Sequence, residues 1–371
     1  MTTVELLRKL VAVDSTSSIS NVPLIDVLEA HVRTLGFETR RQTWTDAAGV
    51  AKANLIARRG PDVPGGLALV GHSDCVPYDP AWAQALAGEE REGRIYGRGS
   101  ADTKGFIAIA LAAAARTGGA AAAREPLHLL FTADEEVGCL GAKRLAADGT
   151  VRPRYAIVGE PTRLVPVLGH KGYCLAELII TGAEGHSAYP ETGASAIFAA
   201  GRLLADLEKL ALSLEESPDP LFKPPHTTLN VGMIAGGKAK NVIPGSCTLT
   251  FEWRPVPSQD TRRVLDLLER LCAQHTSGRI KVEVRPLRLD AGVAVPRDGE
   301  LVRFLEQESG NAAETIPFGT ELPELTAMGA QGCVFGPGDI RVAHRTGESI
   351  AIEDLLRAEE ILVRAIERFC A

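Results

Sequence analysis

Five residues spread along this sequence carry side chains that bind divalent metals: His72, Asp102, Glu136, Glu160 and His344. The intervals between them are 30, 34, 24 and 184 residues. Imidazole mixed with hard carboxylate oxygens suits zinc, cobalt or manganese. Ions held this way acidify a bound water and polarise an acyl oxygen. Each residue also has a blander meaning. His72 and Asp74 form an H-x-D directly after the apolar GLALV. At a strand's period of two they point the same way, so Asp74 could orient the ring of a ligating His72. A histidine in a polar loop is the commoner meaning of such a pair.

Asp102 sits in IYGRGSADTKG, whose glycines suggest a tight backbone path around the carboxylate. The segment has neither GxGxxG nor GxxxxGK[ST] spacing, which argues against a phosphate cradle. Lys104 in the same run reads as a structural or ion-pair lysine. Glu135 and Glu136 follow the apolar LHLLFTAD. Beside a metal, two neighbouring carboxylates can divide the work, one as ligand and one as general base. Glu160 ends the apolar run YAIVGEPT, where an unpaired charge would be costly. His344 follows a strand-like CVFGPG.

These residues need a scaffold, and the apolar pattern suggests one. Helices are expected at 4–13, 22–35, 106–116, 138–147, 301–309 and 352–369. Strands are expected at 54–58, 67–70, 127–132, 156–158 and around CVFGPG. Strands alternating with helices argue for an α/β fold: a mixed, mostly parallel sheet with helices on both faces. Three of those strands deliver polar loops to one edge, where open α/β sheets bind ligands. The texture changes near residue 173. YCLAELIITG, a helix at 195–213, TLNVGMIAGG, CTLTFEWRPV, a helix at 261–274 and IKVEVRPL follow a strand–helix–strand–strand–helix–strand plan, which is ferredoxin-like α+β. An inserted domain at 173–288 inside a discontinuous catalytic domain, 1–172 and 289–371, explains the order. A length of 371 residues also favours two units, since single cores rarely grow past ~250–300 residues. An Ala-rich patch at 112–123 is the one biased tract.

Bulk properties exclude several classes. With 45% hydrophobic and 23% charged residues, the chain is ordinary globular protein. A net charge of −7 without a basic run gives no footprint for nucleic acid. The seven cysteines are odd in number and contain no CxxC pair, so buried thiols in a reducing cytosol are expected rather than a disulfide framework. The N-terminal MTTVELLRKLVAVDS reads as an amphipathic helix without the apolar core of a signal peptide. No apolar stretch is long enough to suggest a membrane span.

Taken together, GHSDCVP, YGRGSADTKG, FTADEEVGCLGA, VGEPT, HKGY, GHSAYP and GPGDIRVAH resemble the M20 metallopeptidase/deacetylase family over essentially the whole length. Within it the chain is most similar to the acetylornithine deacetylase branch, through GEPTRLVPVLGHKG, GGKAKNVIPG, WRPVPS and the FGTE at Phe318–Glu321. The GTSD-like motif of the succinyl-diaminopimelate branch is missing. The resemblance implies two Zn2+ per chain, with Co2+ as a substitute. His72 and Glu160 would hold one ion, Glu136 and His344 the other, and Asp102 would bridge them, followed by a cis peptide to Thr103. Glu135 would be the general base and Asp74 would orient His72. His186 of the inserted domain would stabilise the oxyanion, from the partner subunit in dimeric relatives. Arg254 and Asn241 would hold substrate. The implied substrate is a small N-acyl amino acid, first N-acetylornithine, cleaved to ornithine and acetate in arginine biosynthesis. Alternatives are N-acetylcitrulline, succinyl-diaminopimelate or dipeptides. A cytoplasmic homodimer through the inserted domain is implied as well. A non-catalytic binding protein of this fold would have lost a ligand or the base, and all are present.

Overall fold

The computed structural model describes residues 1–118 and 123–371; residues 119–122 of the Ala-rich patch lie outside the described residues. The chain divides into two units. The first comprises Met1–Leu168, Val295–Glu314 and Thr320–Ala371; the second comprises Gly169–Ala294 and Thr315–Gly319.

In the first unit, strands Leu127–Thr132, Leu67–His72, Tyr155–Val158 and Gln331–Val334 lie side by side in that order, all parallel. Ala51–Arg59 and then Glu38–Thr45 extend one edge antiparallel. At the other edge Val167 pairs antiparallel with Val334. The sheet is thus mixed with a parallel centre, the α/β arrangement expected. Leu67–His72 and Leu127–Thr132 are buried at every residue, which is why they read as continuous apolar runs.

Successive side chains leave a strand on opposite faces. On one face Leu67, Leu69, Leu127, Leu129, Phe131 and Ile157 form the core beneath helices Thr3–Val11, Val22–Thr34, Lys104–Arg116, Glu300–Ser309 and Ile352–Cys370. On the other, Asn54 Nδ2 donates to Gly141 O at 2.8 Å, at the start of helix Leu140–Asp148. There too helix Leu322–Ala327 packs on Gln331–Val334, with Leu322 against Gly332. Helices therefore cover both faces.

Local rules explain the helix ends. Thr2 and Glu5 form a capping box on the first helix, with Glu5 N donating to Thr2 Oγ1 at 3.2 Å and Thr2 N to Glu5 Oε2 at 2.8 Å. Lys104–Arg116 is buried from Lys104 through Ala114, and its alanines let it lie close to the sheet. Lys104 is indeed structural: its Nζ donates to Val13 O at 2.8 Å. Glu38–Thr45 went unread in the sequence because ETRRQTWT is polar and no residue of this edge strand is buried.

In the second unit, four antiparallel strands are ordered Thr228–Gly236, Ser246–Arg254, Tyr173–Thr181, Lys281–Asp290. Helices Ala196–Ser213 and Arg263–His275 complete the strand–helix–strand–strand–helix–strand order. Cys174, Ala176, Leu178 and Ile180 alternate into a core with Leu249, Phe251 and Trp253. Gly169–His170 pairs with Val293–Ala294 in this unit. Thr315–Gly319 belongs to it because Thr315 Oγ1 donates to Leu221 O at 2.8 Å and Arg254 Nη1 to Pro317 O at 3.3 Å. All seven cysteines are buried and none is in a disulfide. Among the described residues no helix is long and apolar enough to cross a membrane.

His128, on the second face of the central strand, is 5% exposed, and neither ring nitrogen has a partner among the described residues. Burial, aided by the Arg58 charge, pushes its imidazole down to about 4 from an ordinary 6.5. Below that ordinary value the unfolded chain takes up a proton that the folded ring refuses. Stability present at neutral pH is therefore lost as pH falls through this window. Urea unfolding should show a loss on the order of 3 kcal/mol between pH 7 and pH 4 beyond that of a His128→Phe variant. Equal losses in both proteins would refute it.

Candidate metal centre

The four parallel strands all end at one edge of the sheet, with His72 beside Thr132 and Val158 beside both Val70 and Val334. His72 closes its strand, Asp74 follows it, and Glu135 and Glu136 follow the next strand across. Glu160 lies two residues beyond Val158. Its neighbour Gly159 is obligatory, since a Cβ there would lie 2.1 Å from the Phe106 ring. Asp102 arrives from another direction, immediately before helix Lys104–Arg116, through a cis Asp102–Thr103 peptide. His344 follows a short 3-10 turn, Ile340–Val342, with a left-handed φ of 59°.

The seven first-unit residues singled out in the sequence converge here. Asp102 lies between two imidazoles: Oδ1 is 3.0 Å from His72 Nε2 and Oδ2 is 3.2 Å from His344 Nε2. His344 Nε2 is also 3.0 Å from Glu136 Oε1. One ligand atom each from His72, Asp102 and Glu136 fits within 4.8 Å of the others, close enough to share an ion. His72, Asp102 and Glu160 are at most 5% exposed, whereas the His344 side chain is 50% exposed.

Asp74 behaves differently from the simplest expectation. His72 Nδ1 donates to the backbone carbonyl of Asp74 at 2.9 Å, while the carboxylate stands 3.6 Å from that nitrogen. Because a carbonyl only accepts, a proton sits on Nδ1, and Nε2 is the ring atom turned toward Asp102 and free to bind an ion. The Asp74 carboxylate accepts instead from Ser17 Oγ at 2.8 Å, Glu135 N at 3.1 Å and Glu136 N at 3.3 Å. It therefore ties the His72 strand to the Glu135–Glu136 loop.

Electrostatics mark the site as short of positive charge. Burial, reinforced by Glu136, Glu321 and Asp102 and opposed by His72, pushes the Glu135 carboxyl well up. Burial and the charges of Asp102 and Glu135 do the same to Glu160. Glu136 is raised by burial although His344 bonds to it. His344 is pushed up to about 10 by its bonds to Asp102 and Glu136. Burial alone would lower His72, but its bonds to Asp102 and Asp74 hold it well above the ordinary value. Asp102 is buried too, yet the bonds from both histidines hold it well below the usual carboxylate range. Clustered carboxylates that resist ionising together, with imidazoles that resist losing charge, form a site that divalent cations would neutralise.

Several supporting residues escaped the sequence reading. Lys52 Nζ, 1% exposed, donates to Asp134 Oδ1 at 2.7 Å and to Ser17 O at 2.6 Å, bracing the residue before Glu135. The signal was a lysine near the start of AKANLIAR, a strand buried from Lys52 to Ala57. Cys139 Sγ donates to Glu135 Oε1 at 3.5 Å. Arg98 and Glu348 form a buried pair at 2.5 Å beneath Asp102.

The remaining candidates belong to the second unit. His186 lies in a two-residue ladder with Val242–Ile243, and Asn241 O accepts from Ser187 N at 3.1 Å, so these two residues are neighbours. His186 Nδ1 accepts from Ala188 N at 3.1 Å, leaving its neutral proton on Nε2 as a donor. Arg254 lies over the Tyr173 ring at 4.7 Å and contacts Glu252 at 3.3 Å.

Comparison with known proteins identifies the family. The sequence profile of peptidase family M20/M25/M40 matches residues 68–368. An acetylornithine deacetylase of Myxococcus xanthus is 55% identical over 369 residues, covering 98% of this chain and 96% of the relative. A metallo-carboxypeptidase of the M20 family from Sulfolobus solfataricus superposes with a TM-score of 0.79 at 18% identity, over 98% of both chains. A dinuclear metal-binding M20 peptidase of Bacillus subtilis superposes at 0.71 with 15% identity, over 98% of this chain and 96% of that one. With its strand-end histidines and carboxylates in place, the chain belongs to peptidase family M20/M25/M40.

Proposed function

We propose that this chain is a two-metal amidohydrolase that removes the acetyl group of N-acetylornithine, yielding ornithine and acetate for arginine biosynthesis. The observation that carries the chemistry is the Asp102 carboxylate held between His72 and His344, at 3.0 and 3.2 Å. The substrate assignment is supported by the near full-length similarity to an acetylornithine deacetylase at 55% identity. In this reading His72 and Glu160 would hold one ion and Glu136 and His344 the other, with Asp102 as the ligand they would share. Imidazole with carboxylate favours zinc, with cobalt as a working substitute. When bound, the ions polarise the acyl carbonyl and acidify the attacking water.

Glu135 moves the protons: it accepts one from the attacking water and returns it to the leaving amine. Among the described residues its carboxylate takes a weak thiol hydrogen bond, from Cys139, and so stays available. Asp74 aims it by holding the backbone N–H groups of both Glu135 and Glu136. The Nε2 proton of His186 is the donor for the developing oxyanion, delivered by a second copy of the chain. Arg254, a planar fork steadied on Tyr173, binds the substrate carboxylate with help from Asn241.

We further assign a cytoplasmic homodimer. In the second unit Thr228–Gly236 is an edge strand that exposes Met233 (68%) and Ile234 (57%), and Phe198 on helix Ala196–Ser213 is 75% exposed. An apolar edge of this kind calls for a cover. Sedimentation should give twice the chain mass, and Ile234→Lys with Phe198→Asp should shift it to the monomer. A wild-type monomer at micromolar concentration rejects the assignment.

Glu135→Gln should retain about two metal ions per chain and lose turnover roughly 100- to 10,000-fold, read as acetate release. A near wild-type rate in that variant rejects Glu135 as base. The substrate is settled by rates on acetylornithine, acetylcitrulline, succinyl-diaminopimelate and dipeptides with added zinc or cobalt. A preference for any but the first reassigns it within the family.

A further inference from the structure

One short segment grips Asp102 from two sides. From the front, His344 Nε2 lies 3.2 Å from Asp102 Oδ2. From behind, four residues further along, the Glu348 carboxylate accepts from Ala101 N at 3.0 Å and Asp102 N at 3.1 Å, both through Oε1. Its other oxygen accepts from Arg98 Nη1 at 2.5 Å. The Glu348 backbone carbonyl accepts from Gly97 N at 3.0 Å. The next three residues, Ser349–Ala351, continue as an antiparallel ladder with Arg94–Tyr96. The stretch 344–351 is thus zipped along 94–102. Glu348 is 1% exposed and Arg98 2% exposed, so neither acts through solvent.

We propose that Glu348, paired with Arg98, is the positioning residue that sets Asp102 at the spacing metal binding requires, by taking up the two backbone N–H groups of Ala101 and Asp102. It touches neither substrate nor ion. Without it, Ala101 N and Asp102 N would be buried donors lacking an acceptor, and the peptide carrying Asp102 could turn to find one. The carboxylate would then leave its place between His72 and His344. Arg98 keeps the second oxygen of Glu348 occupied, so that the first faces the backbone. Its guanidinium is fixed in turn: Nη2 donates to Pro77 O at 3.2 Å, and the group lies 5.7 Å from the Trp82 ring centroid. The proposal deepens the two-metal reading and rests on it, because it assigns Glu348 a role only if Asp102 is a ligand. Outer residues that orient a ligand typically govern metal affinity by 10- to 100-fold.

Removing one member of a buried ion pair strands the other, so the test compares two double variants. Arg98→Met with Glu348→Met removes the pair and the backbone acceptor together. Arg98→Met with Glu348→Gln removes the pair but keeps an amide oxygen for Ala101 N and Asp102 N. Each protein is stripped with a chelator and titrated with Zn2+ against a chromophoric competitor, and its Co2+ form is read by visible absorption. Thermal melting of the stripped proteins reports folding. The Met/Met protein should bind zinc about 10- to 100-fold more weakly, with an altered cobalt spectrum, and the Met/Gln protein should recover both. Wild-type affinity in both variants, or equal weakening in both, overturns the role of the two N–H groups. So does a Met/Met protein that fails to fold while Met/Gln folds, for then the hydrogen bonds serve the fold and not the ion. A wild-type chain that binds no metal instead refutes the two-metal reading itself, an outcome distinct from all of these.

Discussion

Burying several carboxylates at one place is the constraint around which the first unit is organised. Asp102, Glu135, Glu136 and Glu160 lie close enough to oppose one another's ionisation. Positive charge comes from His72 and His344, and both imidazoles meet the same carboxylate, Asp102. A cluster with this sign and these donor atoms gains most from divalent cations, which replace repulsion by shared coordination.

Holding such a cluster together requires a rigid frame, and the parallel sheet supplies it. Backbone ladders fix His72 beside Thr132, so the loops that follow must lie side by side. Two buried ion pairs then brace the loops from outside the cluster: Lys52 with Asp134 ahead of the Glu135–Glu136 turn, and Arg98 with Glu348 behind Asp102. Asp74 connects the His72 strand to the Glu135–Glu136 loop by accepting from that loop's backbone while its own carbonyl orients His72. Each brace uses a charge that would be costly if it stood alone in the interior.

The second unit solves a different problem. Its core uses one face of a four-stranded sheet and the two helices of the inserted segment. It leaves an edge strand and apolar side chains such as Phe198 and Met233 exposed. His186 and Asn241 lie together in it because a short ladder joins Gly185–His186 to Val242–Ile243.

Much of this was legible in the sequence, for identifiable reasons. Strands buried on both faces must be apolar throughout, so LALVGH and LHLLFT announced themselves, and the polar residues just beyond them stood out. Alternation in YCLAELIIT and CTLTFEWR marked one-sided strands. The edge strand Glu38–Thr45 stayed hidden because burial, the property that writes hydrophobic pattern into sequence, is missing there. The site residues were likewise recognisable as a set, but their contacts were not. Only the folded chain decided that Asp74 orients His72 through its carbonyl, that Asp102 faces both histidines at once, and that Lys52, Arg98 and Glu348 stand behind the ligands. Residue type limits what a side chain can do, whereas partners 82, 247 or 250 positions away are chosen by sheet register and loop path, which no local spacing encodes.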